Sequence, residues 1–505
     1  MKKLLALLLL LALMLIPIAV SCASDDATTV TTAPITTTAP ITTTAPVTTT
    51  VPITTTAPIT TTSHSQSLHF SSKTTIKNDW ENKSINVACT SWSKEAGYPW
   101  STVELCVIKG KTSSFGEKID TSVLERNDYI KATYNVEIQY INASRYKLRG
   151  VIENSVISGI NSYELAFPRL TEAQSLVSAG YVYNLSGREY INFDNSYYND
   201  ACINTFTSSG NTLFISGGFS ELDIHSASIL YFNEKLLGKT NTEALYESVK
   251  NGEWTLDKMV SYSNTVYNDA GDNGKDINDT YGLSNISFDM FYQYFGLQDA
   301  KTVNGQWVST KNDPLCQKIV NTYNILNNEK WYFDKTILDV TTISGAELLL
   351  DDKILFYSDT VASSELSAND GIGIIPFPML DKEQIRYCVP CDPELATVLC
   401  VPTCTINREM SDYFVDVLSW TGEKYCISSF FESKTTHYDE NEMEILKNHI
   451  APNIVYSPGK LIESGSFLNA YYYSYDTGIN TGMPSIEDIA WSTLTDWNAN
   501  WGACL

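Results

Sequence analysis

Between residues 84 and 170 the apolar positions change their spacing from strand-like to helical and back, twice. Ile85, Val87 and Cys89 alternate with other residues, the period of a strand. Val123, Leu124, Ile130 and Tyr134 keep helical spacing, and Val136, Ile138 and Tyr140 alternate again. After a further helical stretch, Tyr163 to Phe167 reads as a third strand ending in Pro168-Arg169. This order predicts an α/β domain with a parallel sheet flanked by helices. Ligands of such sheets sit beyond the carboxyl ends of the strands, which places Trp92 and the Phe167-Arg169 turn on one rim.

The middle of the chain is organised by Leu213 to Leu237, apolar at both ends and broken by Gly217-Gly218. It reads as strand, glycine break and strand, or more sharply as a crossing between two lobes with a cleft beside it. Helices are predicted over 243–250, capped by Thr242, and over 256–267, capped by Thr255. Asn304-Gly305 marks a small hairpin within 303–308, and 314–329 reads as a helix. Lys353 to Tyr357 is a strand leading to Ser358-Asp359. The apolar, glycine-bearing run Gly371 to Pro376 is a candidate for the return crossover. A strand over 396–401, a helix over 412–420 and a last helix from Ser485 follow, the last with Ile486, Ala490, Leu494, Trp497 and Trp501 as its core stripe.

The N-terminus is of another kind. Lys2-Lys3 precede an apolar run, Leu4 to Val20, which is too short and too interrupted by Pro17 to be a spanning helix and reads as a secretory signal. From Thr31 to Thr60 the hexad TTAPIT recurs five times with Val substitutions. Proline at every sixth position among threonines favours extended chain without a core, a tether whose reach is on the order of 100 Å.

At 505 residues the chain exceeds one compact core, which makes two or more lobes the expectation. A net charge of −24, spread rather than clustered, excludes nucleic acid as partner. Ten cysteines follow Cys22. Cys388-x-x-Cys391 with Cys400-x-x-x-Cys404 has near-zinc spacing, but Cys400 lies in an apolar run, so core thiols or one disulfide stand beside the metal reading. Asp269 to Asp279 resembles a calcium loop in which Gly271 and Thr280 occupy two ligand positions, and an ordered polar loop is the other reading. No catalytic metal, nucleophile or phosphate-loop motif is present.

Several stretches, in order, resemble the extracytoplasmic solute-binding proteins of ABC importers, of the maltose-binding-like, carbohydrate-type cluster. They are Cys22 after Ala19-Val20-Ser21 as a lipobox, NDYIKATYNVEI at 127–138, YELAFPRL at 163–170 and ILYFNEKLL at 229–237. LYESVKNGEWTLDKM at 245–259, DINDTYGL at 276–283 and GIGIIPFPMLDKEQ at 371–384 follow. The resemblance implies a two-lobed periplasmic-binding-protein type II fold with a central cleft and several hinge crossovers. It divides the chain into a signal peptide at 1–21, a tether at 22–83, lobe 1 at 84–217 and 375–432, and lobe 2 at 218–374 and 433–505. It implies a lipidated Cys22 on the outer face of the cytoplasmic membrane, and a monomer handing a small solute, a sugar or oligosaccharide, to ABC permease subunits. No cofactor, metal or catalytic residue is implied. The ligand-facing residues would be Trp92, Phe167, Arg169, Asp223, His225, Ser226, Phe288, Ser358, Asp359 and Tyr472. His225 and Ser226 stand where sugar binders of this type often carry a carboxylate. A glycoside hydrolase and a surface adhesion module, each on the same tether, remain as alternatives.

Overall fold

A computed structural model describes residues 80–81, 83–91, 117–144, 147–271, 274–284, 286–310, 312–333, 344–363, 366 and 369–458. The expected signal and tether, Trp92, Tyr472 and the helix expected from Ser485 lie outside the described residues. Residues 71–505 form one compact unit.

The first sheet is the one the alternation predicts. β1 (Lys83–Ser91), β2 (Val136–Ser144) and β3 (Leu165–Phe167) are parallel in the order β2-β1-β3. Helices Glu117–Tyr134 and Leu148–Ser158 connect them. Ile85, Val87 and Cys89 have no solvent exposure, and neither does Ile130. Leu124, expected on the buried stripe, is 38% exposed. Fully buried Arg126 takes an interior position of the same helix, with its guanidinium on the Tyr140 hydroxyl at 2.6 Å. The run 396–401 extends this sheet through antiparallel bridges, Ala166 to Cys400 and Ile215 to Leu399.

The second sheet is mixed. β4 (Ser228–Asn233), β5 (Tyr281–Ser284), β8 (Tyr332–Phe333), β9 (Ile354–Thr360) and β10 (Ile372–Ile375) are ordered β10-β4-β9-β5-β8. β4 runs antiparallel to both neighbours and is buried at every position, as its uninterrupted apolar run requires. β6 (Ala300–Val303) and β7 (Gln306–Ser309) make the expected hairpin. Asn304 and Gly305 both have positive φ, 53° and 78°, the turn that matches strand twist.

Three features differ from expectation. The helix Lys239–Lys250 begins after Gly238, so Thr242 lies inside it instead of capping it. Thr255 does precede the helix Leu256–Val266, without a side-chain capping bond. The third difference concerns the return to the first sheet. β10 is an edge strand of the second sheet, and the chain beyond it stays there: Trp254 Nε1 donates to Pro376 O at 3.1 Å and Leu256 N to Met379 O at 2.8 Å. The return falls at 391–396, after Cys391 bridges Ala227 and before Thr397 bridges Arg169. The glycines of β10 answer to packing: a Cβ on Gly373 would stand 2.4 Å from both the Phe232 ring and the Tyr246 hydroxyl.

Cys388, Cys391, Cys400 and Cys404 are buried thiols. In the loop after Asp269, the Asp279 carboxylate accepts from Ala270 N at 2.9 Å and Asp276 N at 3.2 Å. Its oxygens hold the loop's own backbone. Among the described residues no helix is long and apolar enough to cross a membrane.

Candidate functional site

Three chain segments lie side by side where the two sheets meet. The first is Ser216–Ala227, leading from the first sheet into β4. The second is the return at 391–396. The third contains β12 (Ile454–Val455), which pairs in parallel with β11 (Val389–Pro390). Backbone bonds tie them: Asp392 N donates to Ser226 O at 2.8 Å, and Cys391 N to Val455 O at 3.1 Å.

Gly217 and Gly218 have a role that the opening pattern did not reveal. A Cβ on Gly217 would stand 2.2 Å from Tyr197 O, and one on Gly218 2.6 Å from both Ser419 O and Glu423 Cβ. On the facing helix Arg408–Gly422, a Cβ on Gly422 would meet Gly218 O at 2.3 Å. These glycines let two backbones touch. The crossing is therefore closely packed at the glycine break.

Beyond them the short helix Leu222–His225 carries an unusual charge set. Asp223 is buried, and Tyr456 OH donates to its Oδ2 at 2.7 Å. The same hydroxyl accepts from Asn199 Nδ2 at 3.0 Å and lies 3.2 Å from Ser216 Oγ. Burial pushes the Asp223 carboxyl up to about 7, with the Tyr456 bond opposing. Glu221 is fully buried, among the described residues no other residue hydrogen-bonds its carboxylate, and burial pushes it up to about 7 as well, opposed by its own backbone N–H. Tyr456 is pushed well above the usual phenol range by burial, then by the Asp223 charge. On the other side, Ser457 Oγ donates to Asp299 Oδ2 at 2.9 Å and Gln298 Nε2 to Tyr456 O at 2.6 Å. Tyr456-Ser457 thus stitches the first crossing to the loop that precedes the hairpin. Tyr456→Phe should cost about 1–3 kcal/mol in urea melts, because it strips a buried carboxylate oxygen of its donor.

The expected ligand-facing residues divide into groups. Trp92 and Tyr472 lie outside the described residues. Phe167, at the end of β3, is fully buried with its ring 5.0 Å from that of Phe219. Arg169 is buried too, with Nε 3.1 Å from Glu172 Oε2 and a second ion pair to Glu394. Phe288 belongs to the aromatic interior beside the second sheet, its ring 5.1 Å from Tyr323. In this structure those three side chains lie in the interior: the rings gain by leaving water, and the two carboxylates offset the cost of burying the Arg169 charge.

Asp223 and His225 share the short helix that Ser226 caps, and the end of β9 meets them. Val361 N donates to Ala227 O and Ala362 N to His225 O, both at 3.0 Å. Ser358 and Asp359 are half-buried on that strand, the first sharing a 2.8 Å bond with the Tyr294 hydroxyl. Asp359 Oδ1 accepts from Thr360 N at 2.7 Å. Ser226 Oγ donates to Asp223 O at 2.7 Å, closing its own turn. The His225 ring stands edge-on to Phe430 at 4.8 Å, and burial holds its pKa well below the ordinary histidine range. Five of the expected residues therefore converge on one junction.

Glu221 and Tyr456 were missed. Glu221 looks like an ordinary surface charge in the sequence. Tyr456 follows Ile454-Val455, a strand of two residues that is too short to show a period.

No family model matches the chain, and no curated sequence does. Solved structures do. A cyclo/maltodextrin-binding protein complexed with maltotetraose is similar at a TM-score of 0.52 and 12% identity, over 81% of this chain and 96% of that one. The sugar-binding protein MalE from the phytopathogen Xanthomonas citri superposes at 0.49 and 10% identity, over 83% and 97%. A sugar transporter from Rhizobium etli in an open conformation superposes at 0.49 and 12%, over 83% and 99%. The first likeness is one of fold: the chain has the two-lobed α/β architecture of a periplasmic-binding-protein type II domain.

Proposed function

We propose that this chain is an extracellular substrate-binding lipoprotein that captures a carbohydrate between its two lobes and delivers it to an ABC permease. The observation that carries the reading is the junction: two sheets joined by chain segments lying side by side, with half-buried and buried polar groups gathered at it. The protein of similar fold was solved with maltotetraose. The resemblance of the sequence stretches points the same way. In this reading Cys22 carries the lipid and residues 22–83 hold a monomeric domain away from the outer face of the membrane. The lobes are 84–217 with the return from about 391, and 218–390 with the helices after Lys434. The chain binds and releases its ligand unchanged, without metal or cofactor.

Capture works by closure. A ligand that touches both lobes stabilises the closed arrangement by its differential contacts, and that arrangement is otherwise minor. The groups placed to contribute are Ser358, Asp359 and the polar face near His225. Trp92 and Tyr472 join them as the aromatic contacts expected from the sequence. Titration of the full chain with malto-oligosaccharides and other glycans, followed by tryptophan fluorescence and small-angle scattering, tests this. Saturable binding with a smaller radius of gyration is expected. Hydrolysis of the glycan, or the absence of compaction with every glycan offered, would overturn it.

A further inference from the structure

Lys434 closes the helix Ser428–Lys434, which lies between elements of the two sheets. Two residues before it, Glu432 pairs with Lys118 on a helix of the first sheet at 2.6 Å. Beyond it, Asn441 and Glu444 meet Lys250 on a helix of the second, at 2.7 Å and 2.8 Å. Lys434 thus stands in a further passage of the chain between the lobes, beside the junction already described.

Its half-buried side chain lies against aromatic rings. The ammonium sits 5.6 Å from the centre of the Phe430 ring and 5.8 Å from that of Tyr438. Phe430 in turn carries the edge-on His225 ring, whose pKa the nearby Lys434 charge lowers further. Among the described residues no carboxylate pairs with Lys434, although the chain has 58 acidic residues against 34 basic ones. Burial brings its pKa down to about 8, with no opposing acid. Two ring faces offset only part of the cost of drawing an ammonium partly out of water. What is missing beside it is an anion.

We propose that Lys434 is a specificity determinant that forms an ion pair with an acidic substituent, a carboxylate or a sulfate ester, on a sugar bound at the His225–Asp359 end of the junction. This rests on the reading of the chain as a carbohydrate-capturing protein. A lysine ammonium is a compact point charge and accepts either anion without demanding a planar fork. The sugar's anion would complete the charge that the aromatic walls leave uncompensated, and it would do so only when both lobes contact the ligand.

The test compares glycans of matched length on the full chain: maltotetraose, a tetragalacturonate and a sulfated chondroitin tetrasaccharide. One of the two anionic glycans is expected to bind at least about tenfold tighter than maltotetraose, the size of one modest ion pair. Lys434→Gln should collapse that ratio towards one, and Lys434→Arg should keep it; thermal melts of both variants check that they fold. A stronger galacturonate assigns the carboxylate, and a chondroitin tetrasaccharide that binds more tightly than its desulfated form, which keeps the uronate carboxylates, assigns the sulfate ester. Equal or preferred binding of maltotetraose, or an unchanged ratio in a folded Lys434→Gln chain, overturns the inference while leaving carbohydrate capture intact. Failure of every glycan to bind overturns both.

Discussion

Gly218→Val, and even Gly422→Ala, should destabilise the domain by about 3 kcal/mol or more. The added carbon of each meets backbone, Ser419 O at 2.6 Å in the first case and Gly218 O at 2.3 Å in the second. Backbone atoms at such distances cannot turn aside as a side chain can, so the crossing must lift off the helix Arg408–Gly422. Overpacking a well-filled interior typically costs 1–3 kcal/mol, roughly, where side chains absorb it, and more where they cannot. Gly150→Ala is the control. It lies in the helix Leu148–Ser158 with nothing within 4 Å of its would-be Cβ, and should be neutral or stabilise by up to about 1 kcal/mol. Urea melts of the three variants decide the matter. A Gly422→Ala chain as stable as the parent would show that the crossing does not rest on this contact.

The second large effect is on the dependence of stability on pH. Glu221 and Asp223 are carboxyls whose pKa burial raises from 4.5 and 3.8 to about 7 in the folded chain. In the unfolded chain each loses its proton near its ordinary pKa, so between roughly pH 4.5 and 7 the folded state binds more protons. Their contribution is present below the unfolded pKa values and is lost as pH rises through about 7, at up to about 1.4 kcal/mol per pH unit for each group. His225 acts in the opposite sense. Its lowered pKa makes stability fall as pH drops through the ordinary histidine range. Comparison with Glu221→Gln isolates one carboxyl. Relative to the parent, that variant should gain up to about 3 kcal/mol in moving from pH 5 to pH 8. Parallel stability profiles for the two chains would mean that Glu221 reaches water or a partner when charged.

Much of the fold was legible because its signals are local. The change of period between Ile85 and Phe167 follows from which faces of a strand or helix meet the core, so it survives in the sequence as spacing. The Asn304-Gly305 turn was legible for the same reason, since positive φ at both residues selects those side chains. The return crossing was misplaced because Gly371 to Pro376 has the apolar, glycine-bearing look of a passage between lobes. Its glycine at 373 serves the Phe232 and Tyr246 rings instead, and Trp254 holds the following residues to the second sheet.

The candidate site was legible in part. Asp223, His225, Ser226, Ser358 and Asp359 were expected together and lie together, because strand ends beside a crossing must converge there. Phe167, Arg169 and Phe288 share the same sequence logic, yet packing drew them inward. A ring or an arginine at a strand end does not announce whether Phe219 or Glu394 waits for it.

By itself, the sequence determined the parallel first sheet, the hairpin at Asn304-Gly305 and the apolar run that becomes β4. Each of these follows from composition or period within a few tens of residues. Only the tertiary structure decided that Gly217-Gly218 is a backbone contact, that Tyr456 holds Asp223, that Glu221 is buried, and that Lys434 lies near two rings and, among the described residues, pairs with no acid. The reason is distance along the chain. Residues 218 and 422, 223 and 456, and 225 and 430 meet only after both sheets have formed, and no local pattern records a contact between segments some two hundred residues apart.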